Sequence, residues 1–189
     1  GRENIPKDGP LIVGANHLNL ADPPLLSASI PRRITFLAKE ELFSSIFSRS
    51  VMRVYGVLRV RRNLPDREAI NQAQRVLDDG SVLGVFPEGT RSPDHRLQQG
   101  YHGASLIAMR SGAPILPVGI SGSEGINGVL GVLRRPNIVV NIGKPFQPPH
   151  LNGRLSSARL RVVTDSIMEH IAELLPPGYR GVYGNERGD

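Results

Sequence analysis

Short runs rich in β-branched residues alternate along this chain with stretches of helical periodicity, and that alternation limits the fold more than any other feature. Leu11–Ala15, Ile34–Ala38, Val57–Arg61, Val82–Phe86, Ile115–Ile120 and Ile138–Ile142 read as strands. Pro23–Ile30, Glu40–Tyr55, Asp66–Asp79 and Gly103–Ser111 read as helices between them. Asp66 after Pro65 is an N-cap candidate, with Ala69, Ile70, Ala73, Val76 and Leu77 forming an apolar stripe behind it. Gly80 and Gly112 sit where helix C-terminal glycines are expected. A last helix over about Leu155–Leu175 carries Leu160, Val163, Ile167, Ile171 and Leu174 at helical spacing, which predicts a core stripe. Such alternation implies an α/β sheet covered by helices, and ligands of such sheets gather at loops beyond the strand ends.

The chain's 189 residues suffice for one compact domain, and 39% hydrophobic with 21% charged residues is a globular composition. Residues 1–175 are expected to form that domain, with the Gly-rich segment 176–189 a flexible tail. Gly1 in place of Met, with a strand only ten residues later, suggests that an N-terminal part is missing. The longest apolar run, Val51 to Val60, is broken by Arg53, Gly56 and Arg59, so nothing approaches the roughly 18 residues of a membrane-spanning helix. The net charge of +6 suits an anionic partner: a phospholipid surface, a phosphorylated substrate or nucleic acid. With no cysteine there can be neither disulfide nor thiol nucleophile.

Two constellations follow directly on strands. Asn16-His17-Leu18-Asn19-Leu20-Ala21-Asp22 leaves the first. Five positions on one α-helix would turn His17 and Asp22 about 140° apart, so they meet only across a turn. Pro23, well placed for a helix's first turn, provides one. A histidine held by a carboxylate can take a proton from a hydroxyl. Asp22 is equally a helix N-cap candidate, and its two oxygens allow both roles. Phe86-Pro87-Glu88-Gly89-Thr90-Arg91-Ser92 leaves the fourth strand, with Pro87 and Gly89 favouring a tight turn. Arg91 supplies a forked donor for a phosphate and Thr90 adds another, while Glu88 can hold a substrate hydroxyl or lock an arginine. In Gly56 to Arg62, strand alternation places Arg62 at the end of the more apolar row, where it reaches solvent or meets an anion.

Taken together and in order, Asn16-His17 with Asp22, Gly56 to Arg62, Phe86 to Arg91 and Ile115-Leu116-Pro117-Val118 resemble the four blocks of the lysophospholipid acyltransferase superfamily. The likeness runs from about Ile5 to Pro145 and is greatest to the 1-acyl-glycerol-3-phosphate acyltransferases. It implies a single-domain mixed, largely parallel sheet flanked by helices. It also implies His17 as general base with Asp22 as its partner, and Arg62, Glu88, Gly89 and Arg91, beside Thr90, around a glycerol-phosphate acceptor. Lys39 matches a Lys-x-Glu-Leu segment of that family. Asn19, Arg59 and Tyr101 depart from its usual Ser, Phe and Lys.

The resemblance further implies a lysophosphatidic-acid-like acceptor, acyl-CoA or acyl carrier protein as co-substrate, no cofactor and no metal. Peripheral attachment at the cytoplasmic face of a membrane goes with it. Other lysolipids or glycerol-3-phosphate are the alternative acceptors, and a non-catalytic basic membrane-binding domain is the alternative of another class. His95, His102, His150 and His170 show no metal-ligand spacing, and nine aromatics without a binding motif argue against nucleic acid. The Gly122, Gly125, Gly128 and Gly131 series lacks a dinucleotide fingerprint and is expected to form a mobile loop near the site.

Overall fold

The computed structural model describes residues 1–39, 57–60, 66–126, 131, 135–148 and 156–184. Strands β1 (Leu11–Ala15), β2 (Ile34–Lys39), β3 (Val57–Val60), β4 (Val82–Val85), β5 (Ile115–Ser121) and β6 (Val139–Ile142) form where the β-branched runs predict them. Helices α1 (Asp22–Ser29), α2 (Asp66–Asp78), α3 (His102–Ser111) and α4 (Ser157–Glu173) fall within two residues of their expected bounds. The helix expected over Glu40–Tyr55 lies outside the described residues, as do Arg61 and Arg62.

The strands make one sheet in the order β3-β2-β4-β1-β5-β6. The first five are parallel and β6 runs antiparallel to β5. Parallel neighbours need crossovers, and α1, α2 and α3 lie between successive strands in the chain as such connections require. Strand alternation divides the core in two. Ile12, Leu83 and Ile115 face one side, where they pack with Ala73 and Leu77 of α2, Ile107 and Ala108 of α3, and Val163, Ile167 and Ile171 of α4. Leu11, Val13, Ile34, Phe36, Leu116 and Val118 face the other side with Leu26 of α1. The α4 stripe is therefore core, and each fully buried Ile or Val contributes on the order of 1.5–3 kcal/mol relative to exposure.

One close approach inside the sheet shapes its carboxyl edge. A Cβ on Gly84, in the middle of β4, would run into the Phe36 ring. Glycine there lets the ring lie flat against the strand and extend toward Phe86, whose ring stacks parallel to it at 6.0 Å between centroids.

The tail differs from the expectation of a loose segment. Pro177–Tyr179 and Gly181–Tyr183 form 3-10 turns, and the Tyr179 and Tyr183 rings pack against the α2–α4 side of the core. The Leu97 amide donates to the Tyr179 carbonyl at 2.8 Å, and the Gly100 amide to the Tyr183 hydroxyl at 3.3 Å. Two aromatic anchors outweigh the glycines around them, because burying each ring offsets the entropy of ordering a short segment. Residues 185–189 lie outside the described residues.

Candidate active site

β1 lies between β4 and β5, with Gly14 opposite Val85 and Ala15 opposite Val118. The loops that follow these three parallel strands therefore leave the sheet side by side at its carboxyl edge. That register brings His17, the Pro87–Arg91 turn and the Gly122–Ile126 segment together, although the first and last are more than a hundred residues apart in sequence.

The His17–Asp22 pair forms as the loop argument requires. His17 Nδ1 lies 2.8 Å from Asp22 Oδ2. The same oxygen accepts the backbone amides of Leu18 and Asn19, each at 2.7 Å. Asp22 Oδ1 accepts the Ser123 hydroxyl at 2.7 Å. The two amides and the hydroxyl all donate, which suits an ionised carboxylate. Asp22 is not the N-cap of α1; it occupies the first helical position and Ala21 precedes it as cap, with no side-chain capping bond. Its carboxylate is turned back into the loop, fully buried, while the His17 side chain is 16% exposed.

An ionised carboxylate at Nδ1 selects the tautomer with its proton on Nδ1, leaving the Nε2 lone pair to accept another. Nε2 has no partner among the described residues. Phe86 stacks on the imidazole, centroids 4.1 Å apart and planes 18° apart, so the ring is held from one face and anchored at one edge. Chemically, the arrangement can act as a base through a nitrogen that has no partner among the described residues.

The turn after β4 closes by a bond from the Gly89 amide to the Phe86 carbonyl at 2.9 Å. Glu88, however, takes neither of the roles expected of it. It is 1% exposed; Oε1 accepts the His17 amide and Oε2 the Gln98 amide, both at 2.8 Å. Its carboxylate braces backbone and offers no open edge to a substrate hydroxyl or an arginine. Burial, the largest cause, pushes its pKa up to about 7; the Gln98 and His17 amides pull the other way, and the Asp22 and Asp94 charges add to the rise. Gly89, Thr90 and Arg91 lie at and past the turn, with Thr90 and Arg91 exposed, and the Tyr101 ring lies over Gly89 at 3.3 Å from where a Cβ would stand. Lys39 ends β2 at this same edge, its side chain outside what is described, and Arg62 lies outside the described residues.

Several contributors hold roles that the sequence alone does not assign. Asn16 pairs its side chain with both backbone groups of Ile120, donating to the carbonyl at 2.8 Å and accepting from the amide at 2.7 Å, which ties the His17 loop to β5. Asn19 donates to the Ile126 carbonyl at 3.0 Å. Ser123 belongs to the glycine series expected to be a mobile loop, yet Ser123–Gly125 is a 3-10 turn set under Asp22. The available signal is Gly122 at the end of an apolar strand. It adopts φ +83°, and a Cβ there would collide with the Asn137 carbonyl oxygen. Among the described residues no group of three His, Asp or Glu side chains is placed to hold a metal ion. No helix among them is long and apolar enough to cross a membrane.

Residues 1–121 match the protein family described as Acyltransferase. The chain belongs to the acyltransferase family. Within it, a 1-acyl-sn-glycerol-3-phosphate acyltransferase of Bacillus subtilis (strain 168) is 29% identical over 92% of this chain and 85% of its own. A lyso-ornithine lipid O-acyltransferase of Pseudomonas aeruginosa is 35% identical over 59% of this chain and 43% of its own. The crystal structure of PlsC, the 1-acyl-sn-glycerophosphate (LPA) acyltransferase of Thermotoga maritima, superposes with a TM-score of 0.69 at 32% identity, covering 92% of this chain and 70% of that one. This acyltransferase chain spans about half the length of several other curated relatives, 47% and 48% in two cases. Its mixed α/β architecture is that of the Thermotoga enzyme.

Proposed function

We propose that the protein transfers a fatty acyl group from an acyl thioester, acyl-CoA or acyl carrier protein, to the free hydroxyl of 1-acyl-glycerol-3-phosphate, giving phosphatidic acid. The observation that carries the reading is the 2.8 Å His17–Asp22 contact, with Nε2 free of any partner among the described residues and the His17 main chain bonded to Glu88 and Ser92 on either side of Gly89-Thr90-Arg91. Family membership and the relatives' names support the same substrate class.

In this reading His17 Nε2 accepts the proton of the acceptor's hydroxyl as its oxygen bonds to the thioester carbonyl carbon. The tetrahedral adduct collapses, the C–S bond breaks, and the proton passes from Nε2 to the departing thiolate. Asp22 holds the tautomer and stabilises the imidazolium that forms. Arg91, with Thr90, Lys39 and Arg62, receives the acceptor's phosphate as a charge-assisted donor. Glu88 supports the base from behind. Holding both substrates at this edge supplies much of the rate through proximity. The protein works at a membrane surface, peripherally and from the cytoplasmic face, where its acceptor resides; its +6 charge suits anionic lipid.

The test presents acyl-CoA and acyl carrier protein with 1-acyl-glycerol-3-phosphate, glycerol-3-phosphate and lyso-ornithine lipid, following thiol release. Release with 1-acyl-glycerol-3-phosphate is expected to exceed the others, and to drop on the order of 10²–10⁴-fold in a folded His17→Ala variant. Wild-type rates in that variant would remove the assigned base. Preference for lyso-ornithine lipid would overturn the acceptor.

A further inference from the structure

Ser123 and Tyr179 stand outside the reacting pair, yet one unbroken path joins them to it. Among the described residues, Asp22 Oδ1 has a single partner, the Ser123 hydroxyl, and Ser123 is itself fully buried. The Leu18 and Asn19 amides and His17 all bind the other oxygen. The roll of the carboxylate about its own axis is thus set at one end by that hydroxyl alone. The next residue, Glu124, accepts the Tyr179 hydroxyl on Oε1 at 2.5 Å, while its Oε2 is buried with no partner among the described residues. Tyr179 is in turn fixed by its ring against the core and by its carbonyl on the Leu97 amide. Its hydroxyl pKa is raised, first by the bond to Glu124 and then by burial, with the Gly122 amide pulling the other way. The phenol therefore works as a donor to the turn that carries Ser123.

We propose that Ser123 is a positioning residue for the His17–Asp22 pair, and that Tyr179 of the docked C-terminal segment holds it in place through Glu124. Removing the Tyr179 hydroxyl would leave the Glu124 carboxylate, already short of one partner, with none among the described residues. A half-buried carboxylate in that state moves toward water, and Ser123 moves with it. The C-terminal turns then belong to the machinery of transfer as well as to the core.

The proposal rests on the assignment of His17 as base, and the experiment separates the two. Steady-state transfer from acyl-CoA to 1-acyl-glycerol-3-phosphate is measured on the full chain for Ser123→Ala, Tyr179→Phe and the double variant. Ser123→Ala is expected to lower kcat by about tenfold, and Tyr179→Phe by about threefold, with KM for both substrates unchanged. In the double variant kcat equals that of Ser123→Ala alone, because both act through one hydrogen bond. Glu124→Gln keeps an oxygen for the phenol and is expected to stay within about twofold of wild type. Losses that multiply in the double variant, or that fall on KM, would overturn the proposal; so would an unchanged kcat in Ser123→Ala. The ¹⁵N shifts of the His17 ring give a readout independent of turnover. They are expected to move in Ser123→Ala even if the protein proves to have another substrate, and fixed shifts would overturn the positioning role. A wild-type chain that releases no thiol would instead count against the transfer reading.

Discussion

The two ends of the parallel sheet solve opposite problems with the same kind of interaction. At the carboxyl edge, Asn16, Asp22, Glu88 and Ser123 are buried polar side chains whose hydrogen bonds, among the described residues, go to backbone groups, to the His17 ring or to one another. At the amino edge, where β1, β2 and β4 begin, Lys7, Asp8, Arg32, Arg33 and Ser81 line an open cavity of about 340 Å³. There one guanidinium does the stitching: Arg32 donates to the carbonyls of Pro6, Asp8, Gly9 and Gly80. Acceptors buried among amides produce rigidity without water and leave one histidine nitrogen exposed. A donor laid over exposed carbonyls ties loops together but is screened by solvent. The difference teaches that carrying charge at a sheet end does not make a reactive site; the site is the end where the charge is dry and directed.

The sharpest way to break this contrast is Asp22→Asn. The amide fills the same space, but the charge that selects the His17 tautomer and stabilises its protonated form is gone. Transfer is expected to fall on the order of 10²–10⁴-fold with the melting temperature close to wild type. Retention of activity in steady-state assays would mean that the carboxylate is only structural.

Glu88 offers the next largest effect, through pH. Its carboxyl titrates near 4.5 when free and at about 7 in the folded chain. Between these values the folded form binds more protons than the unfolded one, so this group's contribution to stability declines as pH rises from 4.5 to about 7 and is level above. The full change is on the order of 3 kcal/mol. Glu88→Gln cannot titrate, so urea unfolding of wild type and variant across this range should show their stability difference shifting against the wild type until about pH 7. Parallel curves would mean that the carboxylate is better solvated than its burial indicates.

The smallest effect belongs to the amino edge. Arg32→Ala is expected to cost about 1 kcal/mol in unfolding free energy and to leave kcat and both KM values unaltered. A kinetic change there would show that the two ends communicate.

Sequence makes the scaffold legible because strand and helix signals are local. Val82–Val85 and Asp66–Asp78 announce themselves by composition and periodicity, and their ends follow from Pro65 and Gly80. The His17–Asp22 contact is legible for the same reason, since only six residues contain it. Glu88 is not, because its partners are backbone amides of His17 and Gln98, which no side-chain pattern announces. Ser123 reaches Asp22 from a turn far along the chain, so only the fold brings them together. The tail's glycines suggest a looseness that Tyr179 and Tyr183 override, since their rings find a surface that exists only after α4 has packed.

His17 is fastened by its own main chain on both sides of its α-carbon: its amide binds Glu88, and its carbonyl accepts the Ser92 amide at 2.8 Å. Both partners flank the Gly89-Thr90-Arg91 stretch. The imidazole and that stretch are consequently mounted on a single bracket, and the span between them is a fixed gauge. In the proposed reaction, an acceptor whose anionic group and hydroxyl are spaced differently would not be met by sliding one against the other, so tolerance for such molecules would have to come from whatever flanks the gauge.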